Sequence, residues 1–264
     1  MQKTDYITGL VIKDEPYGDN AKIIHVLTHN NGILRLKATG ANNIKGSYYS
    51  AIQPFTYSEF SVAKGRGGYF TITGGVVKNG FFKIGKNIET YTLACYFSSA
   101  VTRVAVNDDT SDDILRLILN CLYAMSELGY SAERVKPFFE IKLASVCGFA
   151  PDFRFCSECG KESDGFLFDF FSFGTVCKSC WGKLGVMEKS ERYIKLSQNI
   201  VNIIEFICNC NLKHILSVNV SEDSFIFREF AERLACHIYE KTPKALLIYN
   251  QLMRSIRNEK LRQE

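Results

Sequence analysis

Over residues 4–80 apolar and polar positions alternate, the two-residue period of half-buried strands. Five runs stand out: Tyr6–Ile12, Lys22–Thr28, Ile33–Ala38, Pro54–Val62, and one that starts over Tyr69–Thr73. In the third, Arg35 and Lys37 alternate with Leu34, Leu36 and Ala38. Turn residues separate the runs at Pro16–Asn20, Asn30–Gly32 and Lys64–Gly68. Five strands with a longer connection between the third and fourth predict a small OB-type barrel. From about residue 88 the period becomes helical. Ser111-Asp-Asp113 reads as the cap of a stripe through Ile114, Leu115, Ile118, Leu122 and Met125, ended by Gly129. Pro137 reads as the opening of a helix over Phe138–Val146, ended by Gly148 and Pro151. Later stripes start at Leu196, Phe227 and Leu246. The expected architecture is an α+β multidomain chain: an OB-fold domain (1–80), a helical domain in two parts (81–152 and 184–264), and a zinc hairpin inserted between them (153–183).

That hairpin rests on Cys156-Ser-Glu-Cys159 and Cys177-Lys-Ser-Cys180, two Cys-x-x-Cys pairs separated by 17 residues. The spacing falls in the window of a four-cysteine zinc site. Each short turn aims two thiolates at one ion, and the aromatic segment Phe166–Phe173, turned back at Gly174, brings up the second pair. Four thiolates leave no open position on the metal, so a structural role follows. A redox dithiol would want a βαβ context that is absent here. Cys95, Cys121, Cys147, Cys208, Cys210 and Cys236 lie in apolar, helix-like surroundings and read as small core residues. Cys208-Asn-Cys210 with His214 offers only three ligands for a second metal, and a helix would splay the pair.

Ten cysteines in a chain of 264 residues, with no apolar leader in Met1–Asp5, point to a reducing cytoplasm. No run approaches the length of a membrane-spanning helix. Net charge is only +4, but residues 1–80 hold nine Lys/Arg against five Asp/Glu. Between Asn20 and Gly80 the only acid is Glu59. This predicts an electropositive barrel on a neutral body.

Gly80–Lys86 fits the spacing Gly-x4-Gly-Lys, but Asn87 replaces the hydroxyl that would hold Mg²⁺, and Phe81 and Phe82 crowd the phosphate position. The His-x-Glu of zinc deaminases and the His-Glu-x-x-His of zinc hydrolases are both missing. With only His25, His29, His214 and His237, no general base is evident, and no enzyme is expected. By contrast, Lys64-Gly-Arg66-Gly-Gly-Tyr69-Phe70 joins two cations and two aromatics in one loop, as single-stranded nucleic acid requires. An ordinary glycine hairpin is the alternative. Tyr48-Tyr49, next to Lys45, is a similar pairing.

The order of these residues resembles the RecO family of recombination mediators. The likeness is carried by Val11-Ile-Lys13, Tyr17-Gly18, Gln53-Pro-Phe-Thr56 and Gly65-Arg-Gly67, then by Phe139–Leu143, Gly148-Phe-Ala-Pro151 and the two Cys pairs. The resemblance implies a non-catalytic protein that binds single- and double-stranded DNA and anneals complementary strands. It also implies work with RecR to help RecA replace single-strand-binding protein. On this reading Cys156, Cys159, Cys177 and Cys180 hold a structural Zn²⁺, and Lys22, Arg35, Lys37, Lys45, Lys64, Arg66 and Tyr69 form the DNA face. Family members usually carry a basic loop after the third strand. Here Asn42 and Asn43 stand there without charge. Two rival readings follow from composition and from that loop: an adaptor working through protein contacts with weak DNA binding, and an RNA-binding zinc protein.

Overall fold

The structure is a computed structural model describing residues 5–65, 70–104, 108–163, 167–185, 190–218, 220, 224–239 and 241–263. Arg66 and Tyr69 lie outside the described residues. Contacts divide the chain into two compact units, Met1–Ala132 with Thr242–Glu264, and Glu133–Lys241.

In the first unit, β1 (Asp5–Pro16), β2 (Ala21–Thr28), β3 (Ile33–Thr39), β4 (Thr56–Lys64) and β5 (Phe70–Gly80) form the barrel that the alternation predicts. The strands close in the order β1-β2-β3-β5-β4, antiparallel throughout except for β3 against β5. Val11, Ile24, Val26, Leu36, Phe60, Val62 and Ile72 fill the interior. Gly32 sits at φ 56°, and its carbonyl accepts the Thr28 amide at 2.9 Å, which completes the β2–β3 hairpin read from Asn30–Gly32. At the end of β5, a Cβ on Gly80 would fall 2.3 Å from the Phe82 ring. That glycine therefore makes room for an aromatic side chain.

Three helices complete this unit: α1 (Ile88–Val104), α2 (Asp108–Ser126) and α7 (Lys244–Gln263), with α7 packed along α1. The cap expected at Ser111 is instead inside α2. Its hydroxyl donates to the His29 carbonyl at 2.8 Å, so it is used to tie the helix to the barrel. Asp112 beside it hydrogen-bonds His29 Nδ1 and also pairs with Arg116 at 2.9 Å.

The second unit contains most of α3 (Ala132–Val146), with α5 (Gln198–Asn209) and α6 (Ser224–Ile238). Its small sheet has the order β6-β8-β7-β9, from β6 (Asp152–Cys156), β7 (Leu167–Asp169), β8 (Gly174–Val176) and β9 (Tyr193–Lys195). Pro137 lies inside α3 rather than at its start. It has no amide to offer one turn back, but Val135, Phe138, Phe139 and Ile141 are all buried, and their packing carries the helix through. The core joins Phe138, Phe153, Phe168, Phe170, Ile204 and Phe230.

Candidate metal centre and nucleic-acid interface

Strand β6 delivers Cys156 to the mouth of a turn. The Cys156 amide donates to the Lys161 carbonyl at 2.8 Å, the Gly160 amide to the Cys156 carbonyl at 2.9 Å, and Gly160 takes φ 71°. The second pair is presented differently. Cys177 is the N-cap of the short helix α4 (Lys178–Leu184), and Cys180 stands within that helix. Among its described residues the aromatic run is a strand over Leu167–Asp169; the chain turns through Phe170–Phe173, with Phe173 at φ 52°, and Gly174 already belongs to the returning strand. The sequence expectation of a hairpin between the pairs is met with a shorter strand and an earlier turn.

All four sulfurs lie within 4.8 Å of one another, and Cys159 Sγ is 3.9 Å from Cys177 Sγ. Metal–sulfur distances of about 2.3 Å in a tetrahedron give sulfur–sulfur edges of about 3.8 Å. The donor set therefore fits one tetrahedral ion. Burial alone would raise the Cys156 thiol, but amide donors from Cys177, Cys159 and Glu158 outweigh it and lower it to about 6. One of these is the Cys177 amide, 3.3 Å from Cys156 Sγ. Hydrogen bonds to Cys177 and Cys159 push the Cys180 thiol up to about 12. Thiols this close compete for protons, and a bound dication would release them together.

Among the described residues no other group of three or more ligating side chains gathers. Cys208, Cys210 and His214 do not form one. Lys142 explains the first two: its ammonium donates to the carbonyls of Cys208 at 2.8 Å and Cys210 at 3.0 Å, capping the C-terminal end of α5 with positive charge. Burial pushes the Cys208 thiol up to about 11, consistent with a packing role.

On the barrel the predicted cations separate into two sets. Arg35 and Lys37 stand two apart on β3, whereas Lys22 pairs with Ala38 and so shares the opposite face. Lys22 is held by Asp14 at 2.6 Å. Glu15 gathers Lys13 at 2.5 Å, His25 at 3.4 Å and Arg35 at 3.8 Å. Hydrogen bonds from Lys13 and His25 hold the Glu15 carboxyl below its usual range. The charge count missed this, because the pairing of β1 with β2 and of β2 with β3 brings the acids of β1 near cations distant in the chain. Lys37 lies over the Tyr17 ring at 4.8 Å, and Lys45 and Lys64 are exposed. Among the described residues these three make no ion pair.

Two family models match the chain. One, described as the N-terminal part of recombination protein O, covers residues 1–81, and the other, described as its C-terminal part, covers residues 85–225. The chain belongs to the RecO family. Curated relatives agree. The DNA repair protein RecO of Acetivibrio thermocellus is 29% identical over 216 residues, 81% of this chain and 83% of that protein. The one from Clostridium novyi is 25% identical over 255 residues, 95% of each. In this RecO-family chain the loop after β3, where Asn42 and Asn43 carry no charge, is a series of tight turns. The Asn43 amide donates to the Gly40 carbonyl at 3.0 Å, and Asn43 Oδ1 accepts from the Lys45 amide at 3.1 Å. The Asn43 side chain is thus used to shape the loop that presents Lys45.

No described helix is long and apolar enough to cross a membrane.

Proposed function

We propose that this RecO-family chain is a DNA-binding mediator of recombinational repair that works in the cytoplasm without catalysing a covalent step. It binds single- and double-stranded DNA and anneals complementary strands. With RecR it helps RecA replace single-strand-binding protein on single strands. The observation that carries the reading is family membership across both parts of the chain. The barrel is the OB-type module, and Lys37, Lys45 and Lys64, free of acidic partners among the described residues, are its phosphate contacts. Neutralising phosphates on two strands at once lowers their mutual repulsion, which is the physical requirement for annealing. The cysteine cluster holds Zn²⁺, which fixes the hairpin and takes no part in chemistry.

A second reading is favoured by the ion pairs Lys22–Asp14 and Arg35–Glu15 and by the uncharged Asn42-Asn43. In it the chain is an adaptor with weak DNA binding. Annealing of two complementary labelled oligonucleotides separates the two. The mediator accelerates annealing at low salt and loses the effect as salt rises. No acceleration at any salt, with RecR still bound, would leave the adaptor reading.

A further inference from the structure

We propose that the exposed face of α7, over its second half, holds the phosphate backbone of a second DNA strand beside the one on the barrel, an inference that rests on the DNA-binding reading above. The neutral charge sum of the helical body hides this element. Between Lys244 and Gln263, α7 carries five cations, Lys244, Arg254, Arg257, Lys260 and Arg262, against one acid, Glu259. It belongs to the same compact unit as the barrel, where α1 packs against both α7 and β1.

The helix has two faces. Leu246 and Tyr249 are buried, and Met253 and Ile256 are partly buried, so this side packs onto the unit. Gln251, Arg254, Asn258 and Arg262 follow one another at steps of three, four and four, which sets them on one face, and all four are exposed. From Gln251 to Arg262 the helix rises about 16 Å, a length over which one strand of B-form DNA carries about five phosphates. Roles within the helix do not account for these cations. Lys260 and Arg262 stand in the last turn, where positive charge offsets the helix dipole. Arg254 is more than two turns from that end, beyond the dipole's reach. Its neighbours three and four positions away are Asn250, Gln251, Arg257 and Asn258, none of them an acid. Arg254 with Arg257, and Arg257 with Lys260, are like charges at a spacing that destabilises a helix, and a phosphate backbone along the face relieves that repulsion. Among the described residues Arg254, Lys260 and Arg262 make no ion pair, whereas Lys22 and Arg35 on the barrel are already held by acids.

The chemistry of the face selects the occupant. A guanidinium fork matches phosphate oxygens, and the amides of Gln251 and Asn258 can donate to the same backbone. No ring is offered to a base, because the one aromatic residue of α7, Tyr249, is 2% exposed. A strand held here is gripped by its phosphates alone and keeps its bases free to pair, which is how one of two annealing strands must be presented. The side through Leu246 and Tyr249, which a membrane-surface helix would insert, is already packed, and the exposed Leu247 and Ile248 lie before the cationic stretch begins.

The test is a stoichiometric fluorescence titration of the full-length, zinc-loaded chain with a short labelled thymidine oligonucleotide, beside the annealing rate of two complementary oligonucleotides. We expect two thymidine strands per chain at low salt. The weaker step should lose affinity with salt at a log–log slope of about −2, three contacts at about −0.7 each. Arg254→Gln, Lys260→Gln and Arg262→Gln together, exposed substitutions by a good helix former, should leave one strand per chain and slow annealing. Arg254→Lys with Arg262→Lys, which keeps the charge, should still take two. Circular dichroism shows that each variant keeps its fold. One strand per chain in the wild type, a result that needs no variant, overturns the α7 site and leaves the DNA reading standing. So does a folded glutamine variant that still takes two. No strand bound at all overturns both. A glutamine variant unchanged toward DNA that has lost binding to polyglutamate or to phosphatidylglycerol vesicles makes α7 a protein or membrane contact and overturns the assignment.

Discussion

One edge of the Arg192 guanidinium holds the carboxylate of the fully buried Asp169, Nε donating at 2.9 Å and Nη2 at 2.8 Å. The Phe171 amide donates to the same carboxylate at 3.0 Å and the Ser172 hydroxyl at 3.1 Å. The four bonds close the Phe170–Phe173 turn that joins β7 to β8, and the bidentate fork gives the turn its geometry. Without this turn the strand that leads into Cys177 would not be returned to the sheet.

Burial on its own would raise the Asp169 carboxyl; the Arg192 hydrogen bonds, the Phe171 amide and the Ser172 hydroxyl together outweigh it and hold it below the usual range. A depressed carboxylate stabilises the fold above its unfolded value, about 3.9, and that contribution is lost as pH falls through the lower folded value. Arg192→Ala should therefore cost about 2–3 kcal/mol at pH 7, below the full range for a buried pair because the Arg192 side chain is 45% exposed. The gap between variant and wild type in urea midpoints should stay constant from pH 7 to about 5 and shrink below about 4.

Metal removal should act on the same unit. Elemental analysis of chain purified without chelator should give one zinc per molecule. Cys177→Ser or strong chelation should broaden and lower thermal unfolding. In small finger peptides structural zinc contributes roughly 10–16 kcal/mol. Here the Phe138, Phe168 and Ile204 core remains, so partial unfolding and aggregation are expected rather than a random coil.

Phe168→Ala tests that core directly. Phe168 is 0% exposed and its ring meets Phe153, Phe170 and Phe230 at 5.8, 5.1 and 5.0 Å. Loss of the ring should cost about 3–5 kcal/mol, read as a lower urea midpoint with an unchanged slope.

The parts of this fold that were legible in the sequence are those with a local period or spacing. Alternation gave away the barrel strands, Gly32 the β2–β3 hairpin, and 17-residue spacing the cysteine cluster. What stayed hidden depends on partners distant in the chain. Asp169 and Arg192 are 23 residues apart and carry no motif. The stripe through Leu246 and Tyr249 marks a helix, but nothing in it says that α7 packs on α1 in the barrel's unit. Counting charges put a basic excess in residues 1–80, yet only register reveals that Asp14 and Glu15 offset Lys22 and Arg35. Pro137 reads as a helix start because its ring forbids an amide bond, and the burial of its neighbours overrides that signal.

The salt dependence of single-stranded DNA affinity tests the central claim most directly. Each phosphate neutralised on a single strand contributes about −0.7 to the slope of log affinity against log salt. With Lys22 and Arg35 already paired to acids, the wild-type slope should be about −2 to −3. Replacing Lys37, Lys45 and Lys64 together by Ala should flatten it by about 2, whereas Lys22→Ala should leave it nearly unchanged. A triple variant that keeps its fold, its affinity and its slope would contradict DNA binding through the barrel.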